Sequence, residues 1–355
     1  MIADTPRHVL VPRWLEPDGT AWTVIDGPDK PARWARAAYA NTQSLVTRVG
    51  ALHADHADPG TRAHGAPTSS STNPWLVLTM YRHAQLYPGM DVLDVGTGSG
   101  YGCALLARLL GERAVTSVDV DPYLVRAARE RLAQIGVRPR VEAVDATGPL
   151  GWKGDRIVSM VGVPHVPAAW LAALRPGGRL VTTLAGTMAL VTARRTEDGG
   201  AWGQIEADRA GFMPARTGPD YEQPATAPPV DADGQETRSP YPVVDLGSAA
   251  GLRSMLAVAV PGVECGFAQV RGLGSGWLAH PDGSWARAAG PRGEPAVVRQ
   301  GGPRRLWDEL DRIRAVWLEE GSLPLFGAEV RVAPDGTTVL SRGLWRAVLG
   351  PGAGT

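Results

Sequence analysis

Gly96-Thr97-Gly98-Ser99-Gly100 follows the short apolar run Val92–Val95 and leads into a helical pattern from Tyr101 to Leu110, with Leu105, Leu106, Leu109 and Leu110 as its stripe. Glycine carries no Cβ, so such a loop lets a ligand lie against the backbone. Asp119 closes a second apolar run at 115–118, and Asp145 closes a third at 141–144. An acidic residue about 20 positions after the loop is placed to accept hydrogen bonds from both ribose hydroxyls. Asp145, or the backbone of Ala146, can read an adenine edge, with Val120 in the same wall. Asp121 and Pro122 already suit the cap and first turn of the next helix, so Asp119 is not needed there.

Two nucleoside cofactors compete for this pattern. A nicotinamide dinucleotide asks for G-x-G-x-x-G, with its pyrophosphate on a helix N-terminus. Here the spacing is G-x-G-x-G, followed by Tyr101. The acidic residue after the third strand suits S-adenosylmethionine, which has no phosphate but a sulfonium and an amino-acid tail.

A methyl acceptor must then meet the donor. An acceptor already ionised at neutral pH, as a carboxylate with a pKa near roughly 4 would be, needs no base. Alignment is the main requirement, worth roughly 7–11 kcal/mol for well-oriented reactants. This agrees with a sequence showing no catalytic triad and no paired carboxylates. Ser70, Ser71 and Thr72 supply hydroxyls that orient an anion without neutralising it; Thr72 and Asn73 also suit a cap for the helix starting near Pro74. His53, His56 and His64 lie near Asp55 and Asp58 without a helical H-x-x-x-H register, so no metal site is expected. Cys103 reads as core.

Strands at 92–95, 115–118, 141–144, 157–161 and 180–184 alternate with helices, the last before residues 175–178 being short. This spacing predicts an α/β, Rossmann-like fold with a mostly parallel sheet. The expected division is an N-terminal subdomain at 1–65, a cofactor-binding core at 66–212, a Pro/Asp/Gly-rich linker at 213–242 and a C-terminal accessory α+β region at 243–355. The helical recurrence from Trp307 to Trp317 reads equally as a docking surface, a lid or a packing appendage.

Composition bounds the rest. The 355 residues hold 36 Lys+Arg against 36 Asp+Glu, so no basic footprint for nucleic acid is expected. Two cysteines exclude a disulfide framework. No run of 18 apolar residues suggests a membrane span, and no apolar signal core opens the chain, so a cytoplasmic protein is expected.

Residues 69–74 with the run from Val92 to Tyr101 resemble the protein L-isoaspartate O-methyltransferase family, which pairs a Thr-x-Ser-x-Pro stretch with Gly-Thr-Gly-Ser-Gly-Tyr. Residues 5–12 resemble its N-terminal Pro-Arg-x-x-Phe-Val-Pro, residues 117–119 its Ser-Val-Glu, and residues 161–167 its substrate-side loop. The resemblance covers about residues 5–190. It implies a class I methyltransferase fold, S-adenosylmethionine as cofactor, Thr72 at the family's active-site serine, and Val163 and His165 on the substrate side. The threonine, and a segment after about 213 without a counterpart, resemble the branch acting on ribosomally made peptides such as graspetides and lanthipeptides. That branch implies a macrocyclic precursor peptide as partner, methylated on an aspartate that then forms aspartimide or isoaspartate. Repair of isoaspartyl proteins is the alternative.

Overall fold

The computed structural model describes residues 2, 4–217, 225–229 and 232–351. Its centre is a ten-stranded sheet. Five strands are parallel, in the spatial order Arg140–Ala143, Val115–Asp119, Val92–Val95, Gly154–Val163, Leu174–Leu184. Strand order therefore reverses between Val92–Val95 and Gly154–Val163, which is where such sheets bind ligands. Neighbouring residues on these strands face opposite sides, as the period of two requires. Leu93, Ile157 and Leu180 enter one core, while Val92, Val158 and Val181 enter another against the helices Pro74–Ala84, Tyr101–Leu110 and Pro122–Gln134.

The parallel half is the expected one, but the sheet does not stop there. Ala189–Arg195, Ala201–Arg209, Glu329–Val332, Thr338–Arg342 and Trp345–Leu349 extend it with antiparallel pairings. Three of those strands come from the stretch expected as an accessory region. The same core joins Leu93 and Val163 to Met255, Leu256, Trp307 and Leu310 of the helices Ala250–Ala259 and Leu306–Glu319. A separate five-stranded antiparallel sheet, Gln235–Arg238 with four strands between 264 and 301, lies in this C-terminal part. Gln235–Arg238 falls inside the expected linker; it pairs with Val297–Gly301 through backbone groups, which local composition does not register. Residues 218–224, 230 and 231 of that stretch lie outside the described residues.

A six-stranded N-terminal sheet runs from Arg13–Asp18 to Pro67–Ser71. The serine run is thus its last strand, paired with Leu45–Val49, and lies past the expected boundary at 65. Asp55 pins this sheet to the helix Pro122–Gln134: it accepts hydrogen bonds from Tyr123 Oη at 2.8 Å and Arg131 Nη2 at 2.7 Å. Among the described residues no helix is long and apolar enough to cross a membrane.

Candidate functional site

A cavity of about 310 Å³ opens at the reversal in strand order, a size suited to a small ligand. One side is the end of the central sheet, the other the N-terminal sheet. Gly96 (φ +93°) and Gly98 (φ +50°) form its floor in backbone conformations that other residues rarely adopt. A Cβ on Gly98 would lie 3.1 Å from the Ser70 carbonyl oxygen and crowd the opposite wall.

Asp119 lines the cavity and is held in place: Oδ2 accepts from Gly98 N at 2.9 Å and Oδ1 from Asp121 N at 3.1 Å. Burial raises its pKa, against these two backbone donors. Asp121 in turn caps its helix through Tyr123 N at 2.9 Å, with Pro122 in the first turn. Val120, Asp145 and Ala146 line the same side. Asp145 accepts from Thr147 N and Oγ1, and Ala146 O accepts from Trp170 Nε1 at 2.7 Å, so the turn after the third strand is fixed. Leu124, Val144, Met160 and Val161 add apolar surface.

The hydroxyl residues divide between the cavity and the core without a strict alternation, since the pairing of this strand is irregular and Thr68 and Ser69 line the cavity as well. Ser70 and Thr72 line the cavity. Ser71 is buried on the other face, where its Oγ accepts from Arg7 Nε at 3.2 Å, so its hydroxyl is structural. Asn73 caps the helix Pro74–Ala84 by accepting from Leu76 N at 2.9 Å, which leaves the Thr72 side chain to the cavity. Thr97, Ser99 and Gly100 stand behind the loop. Thr97 Oγ1 pairs with Ser117 Oγ, Ser99 is buried, and Gly100 packs on Leu132. They shape the floor without lining it.

Two expected substrate residues are elsewhere. Val163 is fully buried in the core because it continues the inward alternation of its strand. His165 packs against Gly350 beside the last strand, away from the cavity. The loop after Val163 turns toward the antiparallel extension, whose presence was not foreseen.

Conversely, three contributors lacked a sequence signal. Ser44 and Val46 reach the cavity from the neighbouring strand. Residues 211–216, partly inside the expected linker, form a strip along it: Gly162 N donates to Met213 O at 2.9 Å and Ala215 N to Gly162 O at 2.6 Å. Arg216 in this strip lies 3.4 Å from Asp121 Oδ2. Among the described residues no group of three or more His, Cys, Asp or Glu is arranged to hold a metal.

Residues 61–216 match the family model "Protein-L-isoaspartate(D-aspartate) O-methyltransferase (PCMT)". This interval holds the glycine floor, Asp119, the serine strand and the strip at 211–216. A protein-L-isoaspartate O-methyltransferase of Thermococcus onnurineus is 38% identical over 130 residues, covering 36% of this chain and 58% of that protein. One of Myxococcus xanthus is 36% identical over 151 residues, covering 41% of this chain and 68% of that protein. A solved protein-L-isoaspartate O-methyltransferase structure is 18% identical with a TM-score of 0.45, covering 79% of this chain and 84% of the other. The chain thus spans between about half and two thirds of the length of the curated relatives it matches.

Proposed function

The chain belongs to the protein-L-isoaspartate O-methyltransferase family, and on that premise we propose that it is an S-adenosylmethionine-dependent carboxyl O-methyltransferase acting on isoaspartyl residues of peptides or proteins. One observation carries this reading. The nucleoside-type floor of Gly96, Gly98 and Asp119 and the hydroxyls of Ser70 and Thr72 line a single cavity.

The residues fit the cofactor on the structure's own terms. Gly96 and Gly98 bring bare main chain to the cavity in left-handed conformations, and Asp119 offers a carboxylate fixed by two backbone donors. Gly96, Gly98, Asp119, Val120, Asp145 and Ala146 would hold it. When bound, S-adenosylmethionine supplies a methyl group made electrophilic by a positively charged sulfur.

The remaining work is done by the chain. The acceptor carboxylate is ionised at neutral pH, so no residue has to remove a proton. Ser70 and Thr72 donate hydrogen bonds that fix its orientation while its negative charge stays available. The strip at 211–216 and the N-terminal sheet shut the cavity on two sides and limit water around the anion, which strengthens these contacts.

A second reading is methylation of an aspartate in a ribosomally made, macrocyclic precursor peptide. It is favoured by Thr72 and by residues beyond 216, which the family model does not reach and which complete the central sheet. Incubation with S-adenosylmethionine and either a linear isoaspartyl peptide or a cyclised aspartyl peptide separates the two. Methyl transfer to the linear isoaspartyl peptide is expected, as a gain of roughly 14 mass units; ring closure by the neighbouring amide then loses roughly 32. Transfer to the cyclised peptide alone would reverse the order of the readings, and transfer to neither would sink both.

A further inference from the structure

Arg7 is 1% exposed, and among the described residues it has no carboxylate partner. Its donors all go to neutral acceptors. Nη2 donates to Ser71 O at 2.8 Å, Thr72 O at 3.2 Å and Gln43 O at 3.2 Å; Nη1 donates to Ala38 O at 3.1 Å; Nε donates to Ser71 Oγ. The guanidinium also stacks 5.4 Å from the ring centre of Tyr101, the first residue of the helix after the glycine floor. Burial lowers its pKa to about 10, which still leaves it charged at neutral pH. A buried cation usually has an anion beside it, because desolvation is otherwise costly.

The missing anion has a natural position. In a trans peptide unit N–H and C=O point in opposite directions. Arg7 takes the carbonyls of Ser71 and Thr72, so the N–H groups of Thr72 and Asn73 turn to the other side. Asn73 N donates to Ser44 Oγ at 3.1 Å, and both Ser44 and Thr72 line the cavity. Hydrogen bonds in series polarise one another in a low-dielectric setting. The cavity already holds two carboxylates, Asp119 and Asp145, which repel a third.

We propose that Arg7 is a positioning residue for the acceptor carboxylate: its charge, set one peptide group behind the Ser70–Thr72 wall, draws the anion to that wall without forming a salt bridge that would quench the nucleophile. This rests on the carboxyl methyltransferase reading.

The test compares wild type, Arg7→Lys and Arg7→Met, each checked for folding by its unfolding transition. The probes are S-adenosylhomocysteine and a synthetic hexapeptide with one isoaspartyl residue. Arg7→Met is expected to raise the peptide KM at least tenfold while the Kd for S-adenosylhomocysteine stays within threefold. Arg7→Lys is expected to recover part of the KM. An unchanged peptide KM in folded Arg7→Met, or a parallel loss of nucleoside affinity, would overturn the proposal. A measurement on wild type stands even if the variants do not fold. With S-adenosylhomocysteine bound, the isoaspartyl peptide is expected to bind at least fivefold tighter than its amide isostere. Equal or reversed affinities would overturn the proposal as well. If wild type methylates no carboxylate peptide, the underlying reading falls and the proposal with it; normal wild-type turnover with an insensitive Arg7→Met removes the proposal alone.

Discussion

On the proposed reading Asp119 serves the nucleoside and Thr72 the acceptor, and substitutions should separate them. Asp119 binds the Gly98 amide and faces the nucleoside pocket, so Asp119→Ala is expected to weaken S-adenosylhomocysteine binding by about tenfold or more, read by calorimetry. Thr72→Val keeps the shape but removes the hydroxyl. It should lower peptide kcat/KM by about tenfold with nucleoside affinity unchanged, whereas Thr72→Ser should retain activity. Nucleoside affinity lost with Thr72→Val would contradict this division. Asp119 was legible from where its strand ends, and Thr72 from the motif that resembles the family's, its residue type alone pointing to a helix cap. Ser71 turns from the cavity to meet Arg7, a partner 64 positions away that no local pattern announces, and Val163 belongs to the strand rather than to the loop after it. Ser44 was invisible, since a lone serine acquires meaning only from the Asn73 amide that it accepts from, itself known only from the fold.

At the scale of elements, helix starts were the most readable feature. Asn73 and Asp121 each precede a proline and each cap their helix. Asp121→Ala is expected to cost about 1 kcal/mol in denaturant unfolding. The join between the N-terminal sheet and the helix Pro122–Gln134 was not readable, because its partners are far apart in the chain. His53 lies in that join, 4.7 Å from the Tyr123 ring centre, with Nε2 buried and without a hydrogen-bond partner among the described residues. Burial pushes its pKa down from 6.5 to about 4; the nearby Arg131 and His56 add to this, while Asp55 and Asp121 oppose it. Between these two values the unfolded chain binds a proton that the folded chain refuses. His53 therefore leaves stability intact above about pH 6.5 and erodes it as pH falls toward 4. Unfolding midpoints across this range should fall with acid in wild type and fall less in His53→Gln. Identical slopes would assign the acid limb to other groups.

For the whole molecule, the C-terminal third is joined to the sheet it was expected merely to accompany. Strands at 329–349 cover the edge of Ala201–Arg209, and helices 250–259 and 306–319 share the core of the parallel strands. A chain ending at residue 242 would expose that edge and core, and it is expected to aggregate on expression. A soluble truncated chain with the full-length unfolding midpoint would show instead that the region is dispensable. The five parallel strands were legible as short apolar runs at close intervals, most of them separated by helices. The attachment of the C-terminal strands to this sheet was not legible, because it depends on Ala201–Arg209 pairing with Glu329–Val332 across more than 100 residues, as in Gly203 with Val330, while the other antiparallel pairings are local hairpins. Asp55 ties the N-terminal sheet to side chains 68 and 76 positions further along the chain. On the proposed reading it stands between the wall that takes the acceptor and the side of the cavity that takes the donor, adding a polar tie to the core that joins Leu45 with Val92 and Tyr101. Methyl transfer tolerates little error in the gap it must cross. Asp55→Asn should accordingly leave each ligand's grip nearly intact yet slow the turnover of the pair, a misalignment visible only when both guests are seated.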